Sequence, residues 1–224
     1  MSCAKPAWKP ALAALLLGLA GAGALASDAR ASVLVFDDVA GAIAGDPQGT
    51  IPNGYGGFNW SSFGFIDGAV VHPGSGYENG TVSGSYVGFN EFANVATVSD
   101  TSFIFVGVYL TAAWNDGLNI QVEGLNGGIV LFDTGLSPLV VDTCPGTAPG
   151  LPCITPSPTF FNFGWTGIDE LRFTASGGTN AGLGGSGAHF AMDDFTFETL
   201  PEPSATGLVA AGLLLLGALR SRVF

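Results

Sequence analysis

With 224 residues, 47% of them apolar, the chain is long enough for one domain with a sizeable core. Five of its six Lys and Arg residues stand near the two ends, so the segment from Ser32 to Pro203 carries seventeen acids against one base, Arg172, a formal charge of −16. That excludes nucleic-acid binding, which needs clustered Lys or Arg to release counterions from phosphates, and it suits a solvated exterior, divalent cations or both.

At the start of the chain, Lys5 and Lys9 precede an apolar run from Ala11 to Ala24, and small-x-small sites follow at Ala24-Leu25-Ala26 and Ala29-Arg30-Ala31. This is the layout of a secretory signal peptide over residues 1–31, carried as a signal helix. Cleavage after Ala26 and cleavage after Ala31 both fit; the strand-like Val33-Leu34-Val35-Phe36 just beyond favours the second. A retained anchor is disfavoured, because the apolar run falls short of the roughly 20 residues that span a bilayer.

From residue 32 to 199 the text is β-like, rich in Gly and aromatics, with runs such as Phe103–Leu110 bounded by turn residues. The predicted strands are Val33–Asp37, Gly57–Trp60, Ala69–Val71, Tyr86–Phe89, Ala96–Val98, Phe103–Ala112, Asn119–Gly124, Ile129–Asp133, Thr159–Phe163, Asp169–Ala175 and His189–Glu198. Many short strands punctuated by Asn-Gly, Gly-Gly and Asp-Gly predict an all-β, antiparallel two-sheet β-sandwich of jelly-roll type. Irregular segments are expected at Gly41–Gly57, Gly135–Ser157 and Gly177–Gly187.

Several residues in this segment are candidates for chemistry. Asp37 and Asp38 end the first predicted strand and Asp193 and Asp194 lie in the last, so in a jelly roll the four carboxylates could converge on a structural Ca²⁺; otherwise they are solvated strand-edge acids. No cofactor is otherwise required. Tyr55, Trp60, Tyr77, Trp114 and Trp165 stand beside turns and are candidates for stacking on sugar rings, the competing reading being core residues with one polar end at the rim. Cys144 and Cys153 close a segment of turn formers and are expected to form a disulfide, a zinc site lacking suitably spaced ligands. Two histidines and no nucleophile elbow, zinc-protease helix or phosphate loop give no catalytic residue, so the expectation is not an enzyme.

The chain closes with Pro201-Glu202-Pro203-Ser204, an uncharged apolar stretch from Ala205 to Leu219, and Arg220-Ser221-Arg222-Val223-Phe224. The two prolines hold Glu202 in an extended segment. Fifteen helical residues reach about 22 Å, less than the roughly 30 Å of bilayer hydrocarbon, so a helix over 205–219 suits a temporary transmembrane stay. Arg220 and Arg222 would remain cytoplasmic, leaving the main domain outside.

This three-part end, residues 200–224, resembles the PEP-CTERM sorting domain of Gram-negative bacteria. The resemblance implies recognition of Pro201, Glu202 and Pro203 by an exosortase, a membrane transpeptidase-like enzyme. It further implies an inner-membrane intermediate, loss of the tail, and delivery to the cell surface or extracellular matrix. The strand order through Phe103–Ala112, the Asn119–Asp133 hairpin, Phe160–Trp165, Ile168–Phe173 and Phe190-Ala191-Met192-Asp193-Asp194-Phe195 also resembles the β-sandwich common in PEP-CTERM proteins and in some carbohydrate-binding modules. The expected function is therefore a non-enzymatic surface or matrix protein, with a carbohydrate-binding module acting on extracellular polysaccharide as the alternative.

Overall fold

A computed structural model describes residues 31–199 apart from Leu136, Pro149, Gly150 and Pro152. The predicted signal helix, apart from Ala31 at its end, and the whole C-terminal tail lie outside the described residues. Among the described residues no helix is long and apolar enough to cross a membrane.

The domain is mostly β. Its strands are β1 (Ala31–Leu34), β2 (Gln48–Thr50), β3 (Asn59–Ser61), β4 (Phe63–Asp67), β5 (Tyr86–Asn90), β6 (Ala96–Ala112), β7 (Asn115–Asn126), β8 (Ile129–Asp133), β9 (Leu139–Val141), β10 (Thr159–Asn180) and β11 (Phe190–Thr199). Three single-turn helices join them, α1 (Ala40–Ile43), α2 (Gly68–Val71) and α3 (Gly76–Asn79). All pairings are antiparallel, in the order β2-β4-β5-β11-β6-β10-β7-β8, with β1 on β11, β3 on β6 and β9 on β7.

Hydrogen bonding thus joins every described strand into one sheet, where two were expected. The sheet is curled over on itself. Phe63 of β4 and Phe173 of β10 lie four places apart in the ladder, about 19 Å in a flat sheet. Their rings are 5.8 Å apart, so β4 packs face to face over β10. Long strands make the curl possible by exchanging partners along one edge: β6 pairs β3 at Thr97–Ser99 and β11 beyond Phe103. Likewise β11 pairs β5 at Ala191–Met192 and β1 from Phe195 onward. The second exchange coincides with a bulge, where three steps on β11 from Asp193 to Thr196 oppose two on β6 from Tyr109 to Gly107, and Asp194 adopts φ +50°.

Inside the curl, phenylalanines dominate. Phe58 meets Phe103 and Phe197 edge-on at 4.9 and 4.7 Å, and Trp60 meets Phe63 at 5.3 Å. Alternation along β4, β5 and β11 sends Phe65 and Met192 into this core and sends Ile66, Val87 and Ala191 to the opposite face. There a smaller apolar cluster forms with Tyr77, Ala113 and Trp114.

Predicted strand Ala69–Val71 is instead α2. Asp67 caps it, its Oδ1 accepting from the Val70 N–H at 3.1 Å, so a local side-chain bond overrides the β-branched composition. Neither β2, β4 nor β9 was anticipated. Cys144 and Cys153 form the expected disulfide.

Candidate functional site

The smaller cluster is open to solvent on one side, and its opening is a cleft of about 440 Å³. Three segments build it. The first is the α2–α3 turn: the Ser75 hydroxyl donates to the His72 carbonyl at 2.6 Å and accepts from the Tyr77 N–H, which brings His72 and Tyr77 side by side. Gly76 is required here, because a Cβ would run into the Ala112 carbonyl, and its N–H donates to the Ala113 carbonyl at 3.1 Å. Trp114 stands two residues past the end of β6. Its ring stands edge-on to His72 at 5.0 Å and to Tyr77 at 5.4 Å, with Gly185 against its other face.

The second segment is the end of β5 and the single 3₁₀ turn after it, Glu91–Ala93. Phe92 is 83% exposed and takes φ +55°, as does Ala93. Left-handed backbone at two consecutive non-glycine residues is uncommon and tends to mark functional sites. Glu91 accepts from the Thr50 hydroxyl at 2.6 Å. The third segment is the approach to β11, and buried Asn90 staples it to the second. Asn90 Oδ1 accepts from the Phe190 N–H at 2.8 Å and Nδ2 donates to the Ala188 carbonyl at 3.1 Å. The Asn90 carbonyl meets His189 Nδ1 at 3.1 Å. Burial lowers the His189 pKa, against a smaller raising effect of that carbonyl. A neutral imidazole donating from Nδ1 leaves Nε2 as an acceptor.

The cleft therefore has an aromatic floor and wall of Tyr77, Phe89, Phe92 and Trp114, with Gln48, Thr50, Glu91, His72 and His189 supplying polar groups. This is the general form of a small-molecule or sugar site: apolar surface for ring faces and a few placed donors and acceptors. Another cleft, of about 360 Å³ beside the disulfide loop, offers Asp116 and Asp142, but both carboxylates are engaged in holding loops, by Thr143 and by the Gly117 N–H.

Of the aromatics singled out in the sequence, Trp114 and Tyr77 line the first cleft. Trp60 is 6% exposed in the main core, its N–H donating to the Tyr55 carbonyl at 2.9 Å. Tyr55 packs on Phe36 and Trp60, and its hydroxyl donates to Asp38 at 2.6 Å; burial and then the Asp38 carboxylate raise its pKa. Trp165 lies flat against Phe132 at 5.2 Å, away from the cleft. Phe89, Phe92, Glu91 and His189 complete the site, and only the exposed Phe after a predicted strand could have hinted at it.

The four aspartates expected to converge are held separately, Asp38 by the Tyr55 hydroxyl and Asp37 and Asp193 by different N–H groups of the turn before β5. Asp193 is fully buried; its Oδ2 accepts from the Val82 and Ser83 N–H groups at 2.7 and 2.9 Å and its Oδ1 from the Asp194 N–H at 2.7 Å. Burial pushes its carboxyl up to about 7, the three N–H donors pulling the other way. Asp37 Oδ1 accepts from the Ser85 N–H at 2.8 Å, and its carboxylate lies against Gly84, whose φ of +64° and lack of Cβ leave it room. No group of three or more potential metal-ligand side chains is gathered among the described residues.

No protein-family model and no curated protein sequence matches the chain. Among solved structures, the carbohydrate-binding module TmCBM61, determined in complex with β-1,4-galactotriose, is similar at a TM-score of 0.30 and 11% identity, over 66% of this chain and 95% of that one. A superposition this loose defines neither the fold nor the ligand of the present chain.

Proposed function

We propose that this is a non-enzymatic exported protein of the cell surface or extracellular matrix whose domain holds a polysaccharide in the Trp114 cleft. The observation that carries the reading is the cleft itself: Phe92, 83% exposed, offers a ring face for sugar C–H surfaces beside a floor in which Trp114 and Tyr77 are buried, and Thr50, Glu91 and His189 Nε2 offer partners for hydroxyls. Glu91 is the one carboxylate among its lining residues, whereas glycoside hydrolysis ordinarily employs a flanking pair. Phe92 is the clean test, because its side chain is almost wholly exposed. Phe92→Ala should weaken retention on the bound polysaccharide in affinity electrophoresis or glycan arrays by about tenfold, roughly 1.4 kcal/mol, with the melting temperature unchanged. Retention unaffected by Phe92→Ala and by Glu91→Gln would remove the cleft as the site.

Delivery rests on the order of Pro201-Glu202-Pro203, the apolar run and Arg220 with Arg222, as in an exosortase substrate. Replacing the three motif residues by alanine should leave the protein at full mature length in the inner-membrane fraction, while the wild type loses the tail by intact mass. Identical mass and fractionation for both would count against sorting.

A further inference from the structure

The three groups of the Trp114 cleft that face sugar hydroxyls in the reading above are all hydrogen-bond acceptors. Glu91, a carboxylate, can only accept. Its backbone N–H donates to the Ser62 carbonyl at 2.9 Å and its Oε1 accepts from the Thr50 hydroxyl at 2.6 Å, so main chain and side chain are both held in place. That bond uses the single proton of the Thr50 hydroxyl, whose oxygen is left to accept. His189 donates from Nδ1 to the Asn90 carbonyl, and its Nε2 is the third acceptor. Donors remain on Gln48, on His72 and on the buried Tyr77 and Trp114, but no Lys or Arg lines the cleft.

Charge points the same way. Arg172 is the single Lys or Arg between residues 31 and 219, and it is committed to Glu170 at 3.0 Å and Glu123 at 3.5 Å, away from the cleft. A uronate or sulfate group set against Thr50, Glu91 and His189 would bring a second anion to Glu91 and a further acceptor to three acceptors. No cation would offset its lost hydration. A sugar hydroxyl meets the same three groups as a donor. Resting on the reading of the cleft as a sugar site, we infer that it takes a neutral polysaccharide and rejects acidic ones, with Glu91 as the residue that sets the selectivity. Like charges brought together across a binding surface exclude wrong partners in this way.

The test is binding of the mature protein to a polysaccharide microarray of β-1,3-glucan, mannan, galactan and dextran, each native and after partial carboxymethylation. A pH of about 8 keeps imidazoles neutral, and 0.15 M NaCl confines long-range repulsion to about 8 Å. On polymers whose binding Phe92→Ala weakens, carboxymethylation should reduce wild-type affinity by about tenfold or more. Glu91→Gln keeps an acceptor for Thr50 and replaces the other oxygen with a donor, so it should narrow that gap severalfold; a merely steric effect of the added groups would not be relieved. Asp100→Asn, which removes an acid of β6 outside the cleft, should leave the gap as in wild type. A gap unchanged by Glu91→Gln, or narrowed as much by Asp100→Asn, overturns the proposal. So does carboxymethylated polymer bound as tightly as native by a route that Phe92→Ala removes. No binding at all, or binding that Phe92→Ala leaves untouched on every polymer, instead fails the cleft as a sugar site, and the selectivity falls with it.

Discussion

His189 shows how a single residue ties the stability of the cleft to pH. Half-buried, with Nδ1 on the Asn90 carbonyl, it has a folded pKa below its ordinary 6.5. As pH falls through 6.5 the unfolded chain takes up the proton before the folded one does. Stability present at neutral pH is therefore lost between 6.5 and the lower folded value, and below that value the loss is complete. His189→Asn keeps a donor at the Nδ1 position for the Asn90 carbonyl but does not titrate. The melting temperature of wild type minus that of the variant should shrink between pH 7 and pH 5; a difference independent of pH would mean that His189 carries no linked proton. Protonation of the folded imidazole removes the Nε2 acceptor, so retention of a polysaccharide should weaken only as pH falls through that lower folded value.

At the scale of elements, the disulfide gives the most direct prediction. Cys144 and Cys153 are nine residues apart in sequence, and a loop of that size contributes about 2 to 3 kcal/mol by restricting the unfolded chain. Replacing both with serine should lower stability by that order in urea melts while leaving cleft binding intact, since neither cysteine lines the Trp114 cleft. This bridge was legible because two cysteines enclosing turn formers leave few alternatives. The strands of β6 and β10 were legible only in pieces. Ala96–Val98 and Phe103–Ala112 are one strand, and so are Thr159–Phe163 and Asp169–Ala175, because irregular steps in register at Asn162–Glu170, with Gly164 and Gly167 at positive φ, let the chain bend without leaving the ladder. Punctuation by glycine reads as a strand end in the sequence and acts as a bend in the fold. β9 escaped notice for the opposite reason: Leu139-Val140-Val141 is too short for alternation to register, and pairing with Leu118–Ile120 is what makes it a strand. The cleft was half visible. Trp114 and Tyr77 stand out by type, but the contribution of Phe92, Glu91 and His189 depends on Asn90 bringing together segments about a hundred residues apart.

For the molecule as a whole, charge is the dominant long-range feature. Seventeen acids against one base lie between Ser32 and Pro203, and those exposed on the domain repel one another. Raising NaCl from about 10 mM to 0.15 M shortens the screening length from about 30 Å to 8 Å. In the presence of chelator, which removes any calcium effect, the melting temperature should climb over that range by a few degrees. A flat response would mean that the acids are too far apart, or too well hydrated, to act together.

The place of β11 in the ladder bears on the order in which the chain appears. β6 lies on one edge of this strand and β5 and β1 on the other, yet it is the last described strand to be synthesised. A nascent chain that has emerged only as far as His189 lacks the strip on which β1, β5 and β6 meet, and the rings of Phe190, Phe195 and Phe197 are missing from the core. Such a chain can pair β6, β10, β7 and β8, and β2, β4 and β5, but cannot join the two sets until its final strand is released. For the export proposed above, the closed domain would therefore form only once β11 has left the translocation channel.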